Sequence, residues 1–349
     1  MRGRAIRPEW QLLIDLCLEA RDTSSLDGAD TAALAGLAGR LNVESCVLEA
    51  LSRRRHRLEP AASRWQADLR QRVFAVAVDN LRRDEELREA LARMGGEGIP
   101  LILLKGSALR AARPGLAGRY QCDVDVLLRR PDLERAEAVL TGMGFVLDES
   151  YLDREGLLDG HFHLGYQRRG ATVELHWDID VTSPPGFTGR LWERSREVAG
   201  GLRVLAPEHQ LLVACLHLSR HAFCQGLRWL ADLKLLLPLA GEERERFAAE
   251  ARSWPGRAVY APLWFLACRG VAGSEDFPDC LEAGPAERRL LYPLLVALLV
   301  GEPWLGLPAW RGEKALHAWL FSERSLLGLL SGVWGEGLLR RWQAPEGAA

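Results

Sequence analysis

The octapeptide Gln121-Cys122-Asp123-Val124-Asp125-Val126-Leu127-Leu128 decides how the chain is read. Its acidic and apolar residues alternate as on a half-buried β-strand. Period-two geometry therefore puts the carboxylates of Asp123 and Asp125 on one face and sends Val124, Val126 and Leu128 into a core. Two like charges held side by side repel each other. The usual compensation is a divalent cation, and paired carboxylates with waters and substrate phosphates are how Mg²⁺ is normally held.

Upstream, Ile99 to Leu104 (IPLILL) is a continuous apolar run of strand length, introduced by the breakers Gly95, Gly96, Gly98 and Pro100. It ends in Lys105-Gly106-Ser107, and Ser107 to Ala112 reads as a short helix. A strand that turns into a helix in this way presents backbone N–H groups, a hydroxyl and an ammonium to whatever lies in front, an arrangement suited to a triphosphate. Pro114, Gly115 and Gly118 then make a loop carrying Arg119. Downstream, Pro131 and Asp132 open a helix through Leu140, Gly142 and Gly144 stop it, and Phe145 to Leu147 is extended. His161 to Gln167 and Ala171 to Trp177 are two further extended segments, joined by Arg168-Arg169-Gly170 as in a hairpin. On the second of them Thr172, Glu174 and His176 share one face and Val173, Leu175 and Trp177 the other. Glu174 is the best candidate for the third carboxylate needed if two metals are bridged and an acceptor hydroxyl is activated.

Both flanks read as helical. Apolar residues recur at three and four from Trp10 to about Arg93, again from Pro207 to Leu237, and then in pieces broken by Pro255, Pro262, Pro278, Pro285, Pro303 and Pro308. The expected organisation is α+β: an N-terminal helical region (1–95), a small mixed-sheet core (96–200), a C-terminal helical domain (201–343) and a tail (344–349). With 48% hydrophobic and 26% charged residues in 349, disorder is excluded and two or three folded units are expected.

Lysine plus arginine (45) against aspartate plus glutamate (47) leaves a formal charge of -2, so no global positive field gathers nucleic acid. The basic run Arg53 to Arg57 reads as a solvated helix end. The longest strongly apolar stretch, Leu290 to Val300, falls far short of the ~20 residues of a bilayer span. The N-terminus shows no signal-peptide pattern. Seven scattered cysteines with no Cys-x-x-Cys pair indicate neither a zinc knuckle nor a disulfide framework, and a cytoplasmic setting is expected. His217 and His221 stand at i and i+4 on an expected helix without the glutamate of a His-Glu-x-x-His motif. They are read as a packed pair rather than ligands.

Taken in order, Leu103-Leu104-Lys105-Gly106-Ser107-Ala108-Leu109, Arg119 to Leu128 and Val173-Glu174-Leu175-His176-Trp177 resemble the uncharacterised bacterial nucleotidyltransferase family of the DNA polymerase β-like superfamily. Leu216 to His221 and Leu227 to Asp232 resemble that family's helical signatures. The resemblance covers roughly Leu101 to Leu237. It implies a nucleotidyltransferase core in which Gly106 and Ser107 hold the β- and γ-phosphates. Lys105 reads either as a phosphate contact or as an ordinary strand-end cation, and Arg119 either as a nucleotide contact or as a surface or salt-bridged arginine of its loop. Asp123 and Asp125 would ligate two Mg²⁺ (or Mn²⁺) ions in a two-metal mechanism, and Glu174 would complete the metal site. The implied reaction is attack of an acceptor hydroxyl on the α-phosphate of an NTP, by default ATP, with release of pyrophosphate. The acceptor, a small molecule, peptide or protein, is not encoded in these motifs. RNA as acceptor and a non-catalytic nucleotide-binding scaffold are the alternatives: net charge opposes the first, and three carboxylates on compatible faces oppose the second.

Overall fold

A computed structural model describes residues 7–19, 29–53, 60–150, 152–198, 201–277, 279–303, 309–322, 324–326 and 329–330. The basic residues Arg54 to Arg57 and the tail 344–349 lie outside the described residues. The elements in chain order are α1 (Pro8–Leu18), α2 (Thr31–Arg40), α3 (Glu44–Arg53), α4 (Pro60–Gly96), β1 (Ile102–Leu103), α5 (Lys105–Ala112), β2 (Asp123–Leu127), α6 (Leu133–Gly142), β3 (Val146–Leu147) and α7 (Arg154–Gly160). They continue with β4 (His163–Arg168), β5 (Ala171–His176), α8 (Phe187–Arg194), β6 (Arg196–Glu197), β7 (Arg203–Val204), α9 (Pro207–Arg220), α10 (Leu227–Leu236), α11 (Gly241–Ala251), α12 (Gly256–Cys268), α13 (Pro285–Val300) and α14 (Ala309–Leu320).

These elements form two compact units, one of Arg70–Val213 and one that joins Met1–Leu69 to Ala214–Ala349. The first carries a seven-stranded mixed sheet of order β3-β4-β5-β2-β1-β7-β6. β2 runs parallel to β5, and β1 parallel to β7. The remaining neighbours are antiparallel. The hairpin expected around Gly170 is a two-residue turn: Arg169 (φ 48°) and Gly170 (φ 79°) are both left-handed, as the tight turn between right-twisted strands requires.

The alternation of β2 and β5 supplies the core of this unit. Val124, Val126, Val173 and Leu175 are buried with Leu87, Ala90 and Met94 of α4 and with Leu133, Ala136 and Leu140 of α6. Beside α6, Glu137 accepts hydrogen bonds from Arg154 (2.8 and 2.7 Å) and from the Tyr166 hydroxyl (2.7 Å).

The second unit is helical. Leu13, Ile14, Leu16, Cys17 and Leu18 of α1 are completely buried. Arg269 donates to Gln11 and to the Tyr292 hydroxyl, both at 2.5 Å, and pairs with Asp15. Where a single helix is expected from Pro207 to Leu237, the chain breaks after Arg220. Ala222, Phe223 and Gln225 adopt positive φ, and Gly226 leads into α10. His217 and His221 form an aromatic cluster with Trp229, with ring centroids 4.6–4.9 Å apart, which fits the packed pair expected from sequence.

Candidate active site

The site begins where β1 ends. The Leu104 N–H donates to the carbonyl of Asp125 at 3.0 Å, tying the strand end to β2. Lys105 then opens α5 with φ at 48°, a left-handed backbone that a residue with a Cβ adopts at a cost of about 1–2 kcal/mol. Its side chain compensates. Lys105 Nζ donates to Asp125 Oδ1 at 2.6 Å and lies 3.8 Å from Glu174 Oε2.

Asp125 and Glu174 are paired residues of the parallel β2–β5 ladder, which is why two acids 49 positions apart in sequence share one small volume. His176, 1% exposed, directs Nε2 at both: 3.1 Å to Asp125 Oδ1 and 3.1 Å to Glu174 Oε2. His163 is its cross-strand partner and stacks on it, with ring centroids 4.8 Å apart and 26° between the planes.

The electrostatics follow from this crowding. Burial opposes the charge on Glu174, but the His176 hydrogen bond and the Lys105 ammonium outweigh it and hold the carboxyl far below its ordinary range. Burial likewise opposes the Lys105 charge, and the carboxylates Asp125, Glu174 and Asp123 reverse the sign and hold the ammonium protonated. His176 is pushed down by burial and by Lys105, yet its contacts with Asp125 and Glu174 leave it above the usual imidazole value. His163, buried beside His176, is lowered to about 4.

Among the described residues, Asp125, Glu174 and His176 are the group whose donor atoms all lie within 4.8 Å of one another. The two carboxylate oxygens suit the hard divalent cation that the sequence motifs imply, while the His176 ring nitrogen is engaged with those same oxygens. Asp123 stands at the start of β2, opposite Thr172 in the register. It acts on Lys105 through its charge and is outside that three-residue group.

The Gly106-Ser107 turn is held from behind. An added Cβ at Gly106 would come within 2.6 Å of Arg119 Nη1 and 3.0 Å of its Cζ, so the guanidinium lies flat against the turn and only glycine admits it there. Arg119, placed by sequence on the loop after Gly118, is thus beside the turn and 7% exposed. Ser107 Oγ accepts from Gln121 Nε2 at 2.9 Å, and the same amide donates to the Asp123 carbonyl at 2.7 Å.

Sequence reasoning missed the residues that hold this loop. Asn80 of α4, 1% exposed, donates to the carbonyls of Ala117 (2.9 Å) and Arg119 (2.7 Å). Arg83 donates to the Gln121 carbonyl at 2.8 Å, and Arg110 forms a bidentate pair with Asp84. The available signal was a polar residue, Asn80, on the apolar stripe of a long helix. A cavity of about 1140 Å³ opens behind the turn, lined by Leu87, Leu103, Ser107, Arg110, Gln121 and Val124 among others.

No curated protein matches this chain. Among solved structures, the antibiotic-resistance factor ANT(2'')-Ia is similar at 15% identity over 56% of this chain and 97% of that one, with a TM-score of 0.31, too distant a likeness to argue from. The model of a family described as uncharacterised nucleotidyltransferase matches residues 27–268, more than half of the chain and all of the site just described. The protein belongs to the uncharacterised nucleotidyltransferase family.

Proposed function

We propose that the protein is a Mg²⁺-dependent nucleotidyltransferase that moves AMP from ATP to a hydroxyl of a small molecule, peptide or protein and releases pyrophosphate. The observation that carries this reading is the meeting of Asp125 and Glu174, from different strands, beside a Gly-Ser turn with its own lysine and arginine. Two acids brought together with a lysine at a Gly-Ser turn suit a cation and a polyphosphate shared between them.

In this reading Asp123, Asp125 and Glu174 hold the metal, with Mn²⁺ as a substitute. When bound, the ion offsets charge on the phosphates and lowers the pKa of an acceptor hydroxyl. Gly106 and Ser107 offer the first N–H groups of α5 to the β- and γ-phosphates. Arg119 and Lys105 supply positive charge toward the same groups, and pyrophosphate leaves on that side. Glu174 would complete the metal site and help take the proton of the acceptor hydroxyl.

Residues 96–200 form the catalytic core in this proposal, flanked in sequence by the helical regions 1–95 and 201–343. Work in the cytoplasm belongs to the same reading. It is supported by cysteines that form no disulfide among the described residues, where no helix is long and apolar enough to cross a membrane. The near-neutral charge supports a non-nucleic-acid acceptor.

Thermal shift with each NTP, with and without Mg²⁺, tests the proposal on the wild type and on Asp125→Asn. Ligand at ~100 times Kd stabilises the native state by about 2.7 kcal/mol. The expected result is a metal-dependent shift with ATP that is absent in the variant. No shift with any NTP would replace the enzyme by a non-catalytic scaffold.

A further inference from the structure

Lys105 stands on the oxygens that a divalent cation needs. Its Nζ is 2.6 Å from Asp125 Oδ1 and 3.8 Å from Glu174 Oε2, two of the three donor atoms that cluster within 4.8 Å. His176 contacts the same two oxygens from the buried side. Lys105 combines this ion pair with a left-handed backbone at the strand-to-helix turn. The Lys105 side chain remains 23% exposed, so it has an open side toward which to swing.

We propose that Lys105 is a positioning residue that acts as an internal counter-cation. It occupies the metal's oxygens until a nucleotide arrives, and the metal is admitted only together with the triphosphate. This inference rests on the nucleotidyl-transfer reading above and deepens it by fixing the order of binding. Two cations repel at such a separation, so a divalent ion alone must displace a bonded ammonium and leave it without a partner. When the metal comes with a triphosphate, the same lysine gains phosphate oxygens in place of the carboxylates it gives up. Asp123, Asp125, Glu174, His176 and His163 are the charged and titratable groups around it, and the first three supply its negative field.

The test is Mn²⁺ binding to the full chain, followed by loss of the free-ion electron paramagnetic resonance signal, with and without α,β-methylene-ATP. Wild type is expected to bind Mn²⁺ alone at least about tenfold more weakly than in the presence of the nucleotide analogue. Lys105→Met removes the charge and keeps the length. It is expected to bind Mn²⁺ alone about tenfold or more tightly than wild type, as loss of a unit positive charge within ~4 Å requires. Its melting temperature should rise with Mn²⁺ alone, whereas that of wild type should not.

Lys105→Arg keeps the charge and is expected to behave as wild type. It therefore separates a charge effect from a folding effect should Lys105→Met fold poorly. Tight Mn²⁺ binding by wild type without nucleotide, or no gain in Lys105→Met while the analogue still promotes binding to wild type, overturns the inference and leaves nucleotidyl transfer standing. Absence of Mn²⁺ binding in every variant even with the analogue overturns both.

Discussion

Asp125 and Glu174 face each other across the parallel β2–β5 ladder, and a single imidazole nitrogen, Nε2 of His176, lies 3.1 Å from an oxygen of each. The two acids are therefore fixed relative to one another by backbone register and by a shared side-chain partner. Removing either should silence the chemistry without unfolding the sheet. Asp123→Ala and Asp125→Ala are expected to lower nucleotidyl transfer by at least 10²–10³-fold, roughly the loss of several kcal/mol of electrostatic stabilisation. Glu174→Gln should be nearly as damaging. Incorporation of α-labelled nucleotide, with circular dichroism as the control for fold, is the measurement.

His176 touches both carboxylates and is expected to act by positioning them. His176→Ala should weaken Mn²⁺ binding in the presence of nucleotide by about 10–100-fold, as loss of a partner that orients metal ligands does. His176→Gln, which keeps a donor at similar reach, should recover much of that loss. A purely structural histidine would lower the melting temperature in both variants and leave the metal affinity of the folded protein unchanged.

Gly106 and Arg119 should be coupled. Gly106→Ala places a Cβ within 2.6 Å of the Arg119 guanidinium and must displace it. A rise in the KM for ATP of about tenfold is expected, with kcat less affected. In an Arg119→Ala background the same change meets no guanidinium and should add little. A double-mutant cycle in KM reads this non-additivity directly.

Asn80 reaches from α4 to the loop before β2 with two hydrogen bonds to backbone carbonyls. Asn80→Ala removes both buried donors and is expected to destabilise the protein by about 1–3 kcal/mol in urea unfolding. Because one of those carbonyls belongs to Arg119, the KM for ATP should rise as well.

Glu137 sets an acid limit. Burial works against its charge, but hydrogen bonds from Arg154 and Tyr166 dominate and hold its carboxyl below the ordinary value. A depressed folded-state pKa contributes stability that is present above the unfolded value, about 4.3, and is lost as pH falls through the folded value. Glu137→Gln should lower stability at pH 7 by about 2 kcal/mol, since Arg154 is partly solvated, and should flatten the decline of stability below pH 5. Urea titrations at a series of pH values check both.

The strands that carry the carboxylates were legible because acid and apolar residues alternate there against a strict period of two. The strand-to-helix turn was legible because an apolar run stops at Lys105-Gly106-Ser107. β6 and β7 were not, because two residues each are too few to show a period. β7 joins the sheet through its parallel pairing with β1 and carries β6 on its other edge. The break between α9 and α10 was hidden by apolar residues that continue through it: Ala222 and Phe223 carry positive φ with no glycine to announce it. Asn80 and the hold of α4 on the Arg119 loop depend on which side of a 37-residue helix faces that loop, and periodicity alone does not settle this. His176 was legible as a neighbour of Glu174 but not as the group between two acids, since that relation exists only once β2 and β5 are paired.

That pairing has a consequence for the chain during synthesis. β5 leaves the ribosome about fifty residues after β2, a wait of roughly 3–10 s at ordinary elongation rates. During it the nascent strand Asp123–Leu127, with its run of Val124, Val126 and Leu127, lacks its parallel neighbour and offers an open edge. The two aspartates interrupt that edge with charge, which is how unpaired strands are kept from pairing with other chains. The acids read here as ligands of a metal would thus serve the polypeptide before any nucleotide does, as guards against aggregation on a half-made sheet.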